Sequence, residues 1–106
     1  MDGFRAQLRA YPKGTYADTG QYWLAESYAA LKDYRAALSA FTTLVDTYPN
    51  SSKRPHAQLK IGYMYDELRD KKMARQVLEQ VLRTYPNTAT SRLAEQRLQR
   101  LTQEGN

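Results

Sequence analysis

The chain contains no cysteine, one histidine and few glycines or prolines. Without cysteine it has no disulfide framework, no thiolate ligand and no redox nucleophile. The single imidazole, His56, cannot build a zinc site from His and Cys ligands, and no glycine-rich phosphate loop is present. Asp66 and Glu67 are neighbours on a predicted helix, so their side chains diverge and do not form a catalytic pair. We therefore expect no enzyme activity, no metal and no cofactor.

Long apolar runs are also missing. No segment approaches the roughly 20 apolar residues that span a bilayer, and no charged-then-apolar signal segment opens the chain. We expect no membrane insertion. Residues 1–13 begin in the middle of a repeat, which we interpret as a piece of a longer protein whose targeting signal has been removed.

The net charge of +5 is unevenly distributed. Residues 1–53 carry six Lys and Arg against five Asp and Glu, whereas residues 54–106 carry ten against six. A basic half can attract nucleic acid or an anionic surface, but here acidic residues interrupt it, which favours a solubilising surface. Nucleic-acid binding is therefore an alternative function, but we do not expect the chain to bind nucleic acid.

The strongest positive feature is a repeat with a period of 37 residues. An apolar residue precedes a Tyr-Pro pair by seven positions three times, at Phe4, Phe41 and Leu78. Units that repeat at such a period bury their apolar faces against their neighbours and present an extended surface. The repeat therefore predicts a binding module.

Apolar residues recur at helical spacing in six segments, and no alternating β-branched run predicts a strand. We expect Thr15 to open the second helix, Asp33 the third, Ser51 or Ser52 the fourth, and Asp70 the fifth. Each Tyr-Pro should end a helix, because the residue before proline is pushed out of the α region. The prediction is an all-α solenoid of stacked antiparallel helix pairs, with about six helices.

The repeat divides the chain into four parts. Residues 1–13 are the trailing helix of a truncated repeat and carry Phe4, Leu8 and Tyr11, residues 14–50 and 51–87 are two full repeats, and residues 88–106 are a capping helix. That last helix carries Leu93, Leu98 and Leu101 at helical spacing. It has polar Gln99 and Thr102 where the earlier units have small or aromatic residues, as the end of a repeat array requires.

The repeated positions resemble the tetratricopeptide repeat, whose signature is W-x2-L-G-x2-Y, A-x3-F and P. Gln21 and Gln58 stand where the leading aromatic residue is usual. The positions that we assign to the structure of the repeat are Leu24, Ala25, Tyr28, Ala37, Phe41 and Pro49, then Ile61, Gly62, Tyr65, Ala74, Leu78 and Pro86.

The link after each proline is longer than in the usual tetratricopeptide repeat, and this makes the chain resemble one group of such repeats in particular. With Asp33-Tyr34, Tyr48-Pro-Asn-Ser51 and Lys53-x-Pro55, the chain is similar to the C-terminal repeat domain of the Tol-Pal-associated envelope proteins (the YbgF family, coordinators of outer-membrane constriction). The resemblance covers about residues 4–101, but His56 stands where that family commonly has Asp. It implies a periplasmic protein that binds TolA, and coupling of constriction to septal peptidoglycan synthesis, with a peptidoglycan synthase as a further partner. The repeat scaffold of an outer-membrane assembly lipoprotein is the nearest alternative.

In stacked helix pairs the first helix of each pair lines the concave side. Tyr22 and Tyr63 fall off the main apolar stripe, so each either contacts a ligand or packs between helices. Few cations face the groove, which argues against a clamp for a peptide carboxyl terminus and favours a helical or extended segment of a partner. Self-association is left open. The residues predicted to face the groove are Tyr22, Trp23, Glu26, Ala29, His56, Leu59, Lys60, Tyr63, Asp66, Glu67, Gln96, Arg97 and Arg100.

Overall fold

The computed structural model describes residues 17–104. They form five α-helices, namely α1 (Ala17–Ala30), α2 (Tyr34–Thr47), α3 (Arg54–Glu67), α4 (Lys71–Thr84) and α5 (Ala89–Gln103). The all-α solenoid is confirmed. The helix expected within residues 1–13, with Phe4, Leu8 and Tyr11, and the expected cap at Thr15 lie outside the described residues.

Each helix packs mainly on the next one along the chain. Contacts join α1 to α2, α2 to α3, α3 to α4 and α4 to α5, and a smaller set joins α3 to α5. Short links therefore fold the chain into consecutive helical hairpins. None of the helices in residues 17–104 is both long and apolar enough to cross a membrane.

Two helix starts follow the sequence prediction closely. The Asp33 carboxylate accepts from the Ala36 N–H at 3.3 Å, and the Asp70 carboxylate accepts from the Met73 N–H at 3.2 Å. Each bond satisfies one of the N–H groups that a helix leaves free in its first turn. The predicted caps of α2 and α4 are confirmed.

The start of α3 differs from the prediction. The helix begins at Arg54 after Lys53, whose side chain makes no capping bond, and Pro55 lies in its first turn. The Ser51 hydroxyl accepts from the Lys53 N–H at 3.0 Å, and it donates to the Asp18 carboxylate. Ser51 therefore stabilises the turn before the helix and ties it to α1, so the predicted serine cap of α3 is wrong.

Both tight turns within the hairpins contain a residue in the left-handed region. Lys32 has a φ of 62° and Arg69 has a φ of 70°. In each turn the next N–H donates to the carbonyl five residues earlier, at 2.9 Å in both cases. This pair of features is the usual way for a helix to end in a Schellman turn, although glycine is the residue that normally takes the left-handed position.

The Tyr-Pro pairs end α2 and α4 as expected. Tyr48 and Tyr85 are the C-terminal caps, and their N–H groups donate to the helix carbonyls of Leu44 and Val81. At α5, Thr88 forms a capping box with Ser91.

The core consists of two clusters, and each member of the second lies one period after a member of the first. Small residues at 25, 37 and 74 are fully buried beside the equally buried large residues at 41 and 78. The first cluster contains Tyr22, Ala25, Ala37, Ala40, Phe41, Leu44, Ala57 and Met64, with Tyr28 and Ile61 packed against it. The second contains Leu59, Ala74, Leu78, Val81, Ala94 and Leu101, with Tyr65 and Leu98 packed against it. Leu24 is also buried, and Pro49 and Pro86 are exposed.

Helices α3 and α4 approach each other closely at Gly62. A Cβ atom on this residue would lie 2.7 Å from Leu78 Cδ2 and 2.8 Å from Leu78 Cγ, which is closer than packed carbon atoms approach. Glycine at this position thus allows α3 and α4 to meet with a fully buried leucine between them.

In each repeat a glutamine stands at the leading position, where an aromatic residue is usual, and its side chain makes a hydrogen bond there. Gln21 is buried, and its Nε2 donates to the Ala40 carbonyl at 2.8 Å. The Gln58 side-chain oxygen accepts from the Tyr85 hydroxyl. Because each bond joins a first helix to the segment that follows it in the stack, the polar side chain still connects neighbouring elements.

The leucines of the last helix do not all face the core. Leu93 is 43% exposed, whereas Ala94 and Leu101 are fully buried. The inner face of α5 runs through positions 94, 98 and 101 at helical spacing, which places Leu93 one position to the side. Gln99 and Thr102 are exposed, in keeping with a polar outer face.

Candidate functional surface

The first helices of the stack share one face, on which equivalent residues of neighbouring repeats meet. Lys60 Nζ lies 3.4 Å from Glu26 Oε1, which joins α3 to α1. The Arg97 guanidinium lies 4.1 Å from the centre of the Tyr63 ring, which joins α5 to α3. Lys60 and Arg97 are one period apart, as are Glu26 and Tyr63, so the same contact recurs with different chemistry. We call the face that contains these four residues, with Trp23 and Lys53 beside them, the first-helix surface.

Arg97 also makes the best-buried ion pair of this surface. Its Nη1 lies 2.9 Å from Asp66 Oδ2, and the Asp66 side chain is only 9% exposed. Burial raises the pKa of the Tyr63 hydroxyl, and the nearby guanidinium opposes that effect. The cation is thus held between a carboxylate and an aromatic face, both of which favour its charge.

A second group of charges extends this network to the end of α5. Lys71 Nζ lies 3.4 Å from Asp66 Oδ1 and 2.8 Å from Glu104 Oε1, and Arg100 Nε lies 3.2 Å from Glu104 Oε2. The hydrogen bond to Glu104 raises the pKa of Lys71, and the same bond holds the pKa of Glu104 below its usual value. The two contacts to Glu104 are exposed, so they position side chains and add little stability.

At the α1 end of the surface, aromatic rings meet a cation. Trp23 is 51% exposed, and its ring lies edge-on to Tyr22 with 5.5 Å between the ring centres. Lys53 Nζ lies 5.3 Å from the centre of the Tyr22 ring and 6.0 Å from that of Trp23. The only tryptophan of the chain therefore projects from a fixed aromatic pair with a positive charge beside it.

Two residues predicted to line the groove are core residues. Tyr22 is only 8% exposed and packs edge-on to Phe41, and burial followed by the charge of Glu26 raises its pKa. The expectation that it falls off the core stripe is wrong, because α2 covers that side of α1. Leu59 is 2% exposed in the second cluster, so it is not free to contact a partner.

The other predicted residues are distributed along the surface. Lys60, Tyr63 and Asp66 are partly buried by the contacts described above, and Ala29 is partly buried against the first core cluster. The exposed ones are His56, Glu67, Gln96 and Arg100. The structure therefore brings Glu26 together with Lys60, and Tyr63 and Asp66 together with Arg97, and it leaves Trp23 and His56 open to solvent.

Sequence reasoning missed three participants. Lys53, Lys71 and Glu104 take part in contacts between repeats, but the first two lie at the starts of helices and the third lies at the end of α5. The only signal for Lys53 was its place in the longer link after the proline. No pattern in the sequence pairs Lys71 with Glu104, which lies 33 positions away.

An open groove of about 480 Å³ lies on another side of the stack. Its apolar floor contains Val45 of α2, Ile61 of α3, and Met73 and Val77 of α4, and glutamine side chains border it. Within residues 17–104, no group of three or more His, Asp or Glu side chains is arranged to hold a metal ion.

Comparison with known proteins agrees with this geometry. The profile of the tetratricopeptide repeat matches residues 20–51 and 56–88, which together are more than half of the chain. The chain belongs to the tetratricopeptide repeat family. Repeats of this family mediate protein–protein interactions and typically act as non-catalytic scaffolds. No curated protein matches the chain.

Proposed function

We propose that this tetratricopeptide protein binds the periplasmic part of TolA and acts in the cell envelope of a Gram-negative bacterium. Two lines of evidence support the proposal. The family supplies a protein-binding scaffold, and the Tyr-Pro links, Asp33-Tyr34 and Lys53-x-Pro55 are similar to the Tol-Pal-associated repeat domain. The corresponding location is the periplasm, and the corresponding role is to link Tol-Pal function to envelope constriction and septal peptidoglycan synthesis.

The observation that carries the proposal is the exposed tryptophan on the first-helix surface. Trp23 keeps half of its side-chain area in solvent although Tyr22 holds its ring in place. Large, rigid aromatic side chains contribute most to protein interfaces, because they bury much area and lose little conformational entropy. Around it, charged and aromatic groups alternate, which suits a mixed polar and apolar segment of a protein.

The test is an NMR titration of the ¹⁵N-labelled chain with the purified periplasmic domain of TolA at physiological salt. We expect shifts to concentrate on Trp23, Glu26, Lys60 and Tyr63. Trp23→Ala should weaken binding at least about tenfold if the indole is a central contact.

Val77→Ala is the matched control, since Val77 lies in the groove on the other side of the stack. It should leave TolA binding unchanged. If TolA binding is lost in Val77→Ala and kept in Trp23→Ala, the binding site is that groove and not the first-helix surface. A titration without shifts would remove TolA as the partner, and with it the assignment to the Tol-Pal system.

A peptidoglycan synthase is the second partner that we propose. The same labelled sample can be titrated with the soluble domain of such an enzyme, alone and after saturation with TolA. Shifts that appear only with the enzyme and lie outside the first-helix surface would indicate a scaffold that holds both partners at once. Sedimentation of the chain over a range of concentrations tests whether it also self-associates.

A further inference from the structure

Most charges on the first-helix surface already have a partner within the chain. Lys60 pairs with Glu26, and Arg97 pairs with Asp66 and the Tyr63 ring. A charge that is paired in this way costs energy to release, so it is a poor choice for recruiting a ligand. The surface therefore has few groups that are both charged and available.

Lys53 is the exception beside the exposed indole. Among residues 17–104 no carboxylate lies within ion-pair distance of its ammonium group. Its Nζ instead lies over the rings of Tyr22 and Trp23, where the aromatic faces fix its position without neutralising its charge. Lys53 also precedes the first turn of α3, whose dipole adds positive potential at the same place.

Trp23 occupies a register that recurs in the later repeats. At the same register those repeats carry Lys60 and Arg97, and each of these side chains contacts the preceding repeat. Trp23 makes its ring contact with its neighbour Tyr22 and leaves half of its surface open. An apolar area and an unneutralised positive charge thus lie side by side on this surface.

We propose that Trp23 and Lys53 form a recognition corner for an acidic, aliphatic segment of the partner protein. An aliphatic side chain packs on the exposed indole, and a carboxylate next to it in the segment binds the Lys53 ammonium group. The proposal rests on the proposed function, because it takes the first-helix surface as the one that binds protein.

Charge favours a peptide over a nucleic acid at this corner. Glu26 lies one helical turn from Trp23, and the exposed Glu67 lies at the end of α3. A nucleic acid that stacks a base on the indole and runs along the surface would bring its phosphates past the exposed Glu67, which repels them. A segment with one carboxylate at Lys53 meets no such repulsion.

The test uses two blocked twelve-residue peptides and the indole N–H signal of Trp23. One peptide contains Leu and Asp in a Gly-Ser background, and the other has Lys in place of every Asp. We expect the acidic peptide to shift the indole signal and the basic one to bind more weakly. Lys53→Gln should weaken the binding of the acidic peptide at least about fivefold, and Lys53→Glu should make the chain bind the basic peptide more tightly than the acidic one.

Lys72→Glu makes the same charge change on the exposed start of α4, outside this surface, and should leave the preference intact. Circular dichroism checks that each variant keeps its helix content. Equal binding of both peptides, no indole shift with either, or the same loss in Lys72→Glu as in Lys53→Glu would overturn the proposal. A twelve-nucleotide oligothymidylate that binds more tightly than the acidic peptide at 200 mM salt would also overturn it.

The two proposals can fail separately. If TolA binds and neither Trp23→Ala nor Lys53→Glu weakens it, the recognition corner is wrong and the TolA assignment stands. If TolA does not bind but the acidic peptide does, with the expected dependence on Lys53, the corner stands and the partner is a different protein.

Discussion

Replacing Gly62 with alanine places a methyl group where α3 and α4 are in close contact. Its Cβ would lie 2.7 Å from Leu78 Cδ2 and 2.8 Å from Leu78 Cγ, while Val77 Cγ1 at 3.5 Å is at an ordinary contact distance. Leu78 is fully buried, so its side chain has no open space into which it can turn. The two helices must separate, or the leucine must leave its preferred rotamer.

Two effects of opposite sign determine the result. Overpacking a filled core costs about 1–3 kcal/mol. Alanine is favoured over glycine in the middle of a helix by about 1 kcal/mol, which offsets part of this cost. We therefore expect Gly62→Ala to lower the free energy of unfolding by up to about 2 kcal/mol. Gly62→Leu adds more atoms at the same contact and should unfold the second repeat.

Urea unfolding followed by circular dichroism measures the effect, and Glu95 provides the calibration. Glu95 is exposed in the middle of α5, so the difference between Glu95→Gly and Glu95→Ala reports helix propensity alone. In a Leu78→Ala background, which opens the space, Gly62→Ala should become stabilising. If alanine stabilises position 62 as much as position 95 in the native background, the close approach does not constrain the packing and our reasoning is refuted.

Three further predictions test the fold. Asp33→Ala and Asp70→Ala should each cost about 1 kcal/mol of unfolding free energy through loss of a helix cap, whereas a cost near zero would contradict the capping bonds. Arg97→Ala should lower the free energy of unfolding, measured in urea, more than Lys60→Ala does. The reason is that the carboxylate partner of Arg97 is 9% exposed, whereas that of Lys60 is 27% exposed. Equal losses of free energy would refute this ranking. Burial raises the pKa of Tyr22, so the stabilisation from its neutral hydroxyl is present below pH 10 and is lost as the pH rises further. Tyr22→Phe should therefore lose less unfolding free energy above pH 10 than the native chain does. Identical pH profiles of stability for the two proteins would contradict this prediction.

The repeat period made the scaffold predictable from sequence. Residues one period apart, such as Asp33 and Asp70, adopt the same local structure because each unit must pack on the next in the same way. The α3 start was missed for a local reason. Ser51 has the side chain of a cap, but it bonds to the Lys53 N–H and to Asp18, so the helix begins later.

The surface was less predictable than the fold. Period and spacing place a residue on a helix face, yet they do not say how far the next helix covers that face. Tyr22 and Leu59 lie at equivalent positions that were assigned to the groove, and both are buried because the second helices cover that side. Lys53 was missed because it lies before a helix and has no helical register.

Departures from the repeat therefore say more about binding than the repeat itself. At one register the chain carries Trp23, Lys60 and Arg97. The two cations serve the scaffold, since each reaches across to the preceding repeat, to Glu26 in one case and to Tyr63 in the other. The Lys60–Glu26 contact is an ion pair and the Arg97–Tyr63 contact joins a cation to a ring, yet both connect neighbouring repeats. This difference between the two contacts therefore does not indicate a ligand. Among residues 17–104 the Trp23 ring contacts Tyr22 and Lys53. The indole leaves half of its surface in water beside a lysine, and a partner that packs on it would remove that apolar area from water.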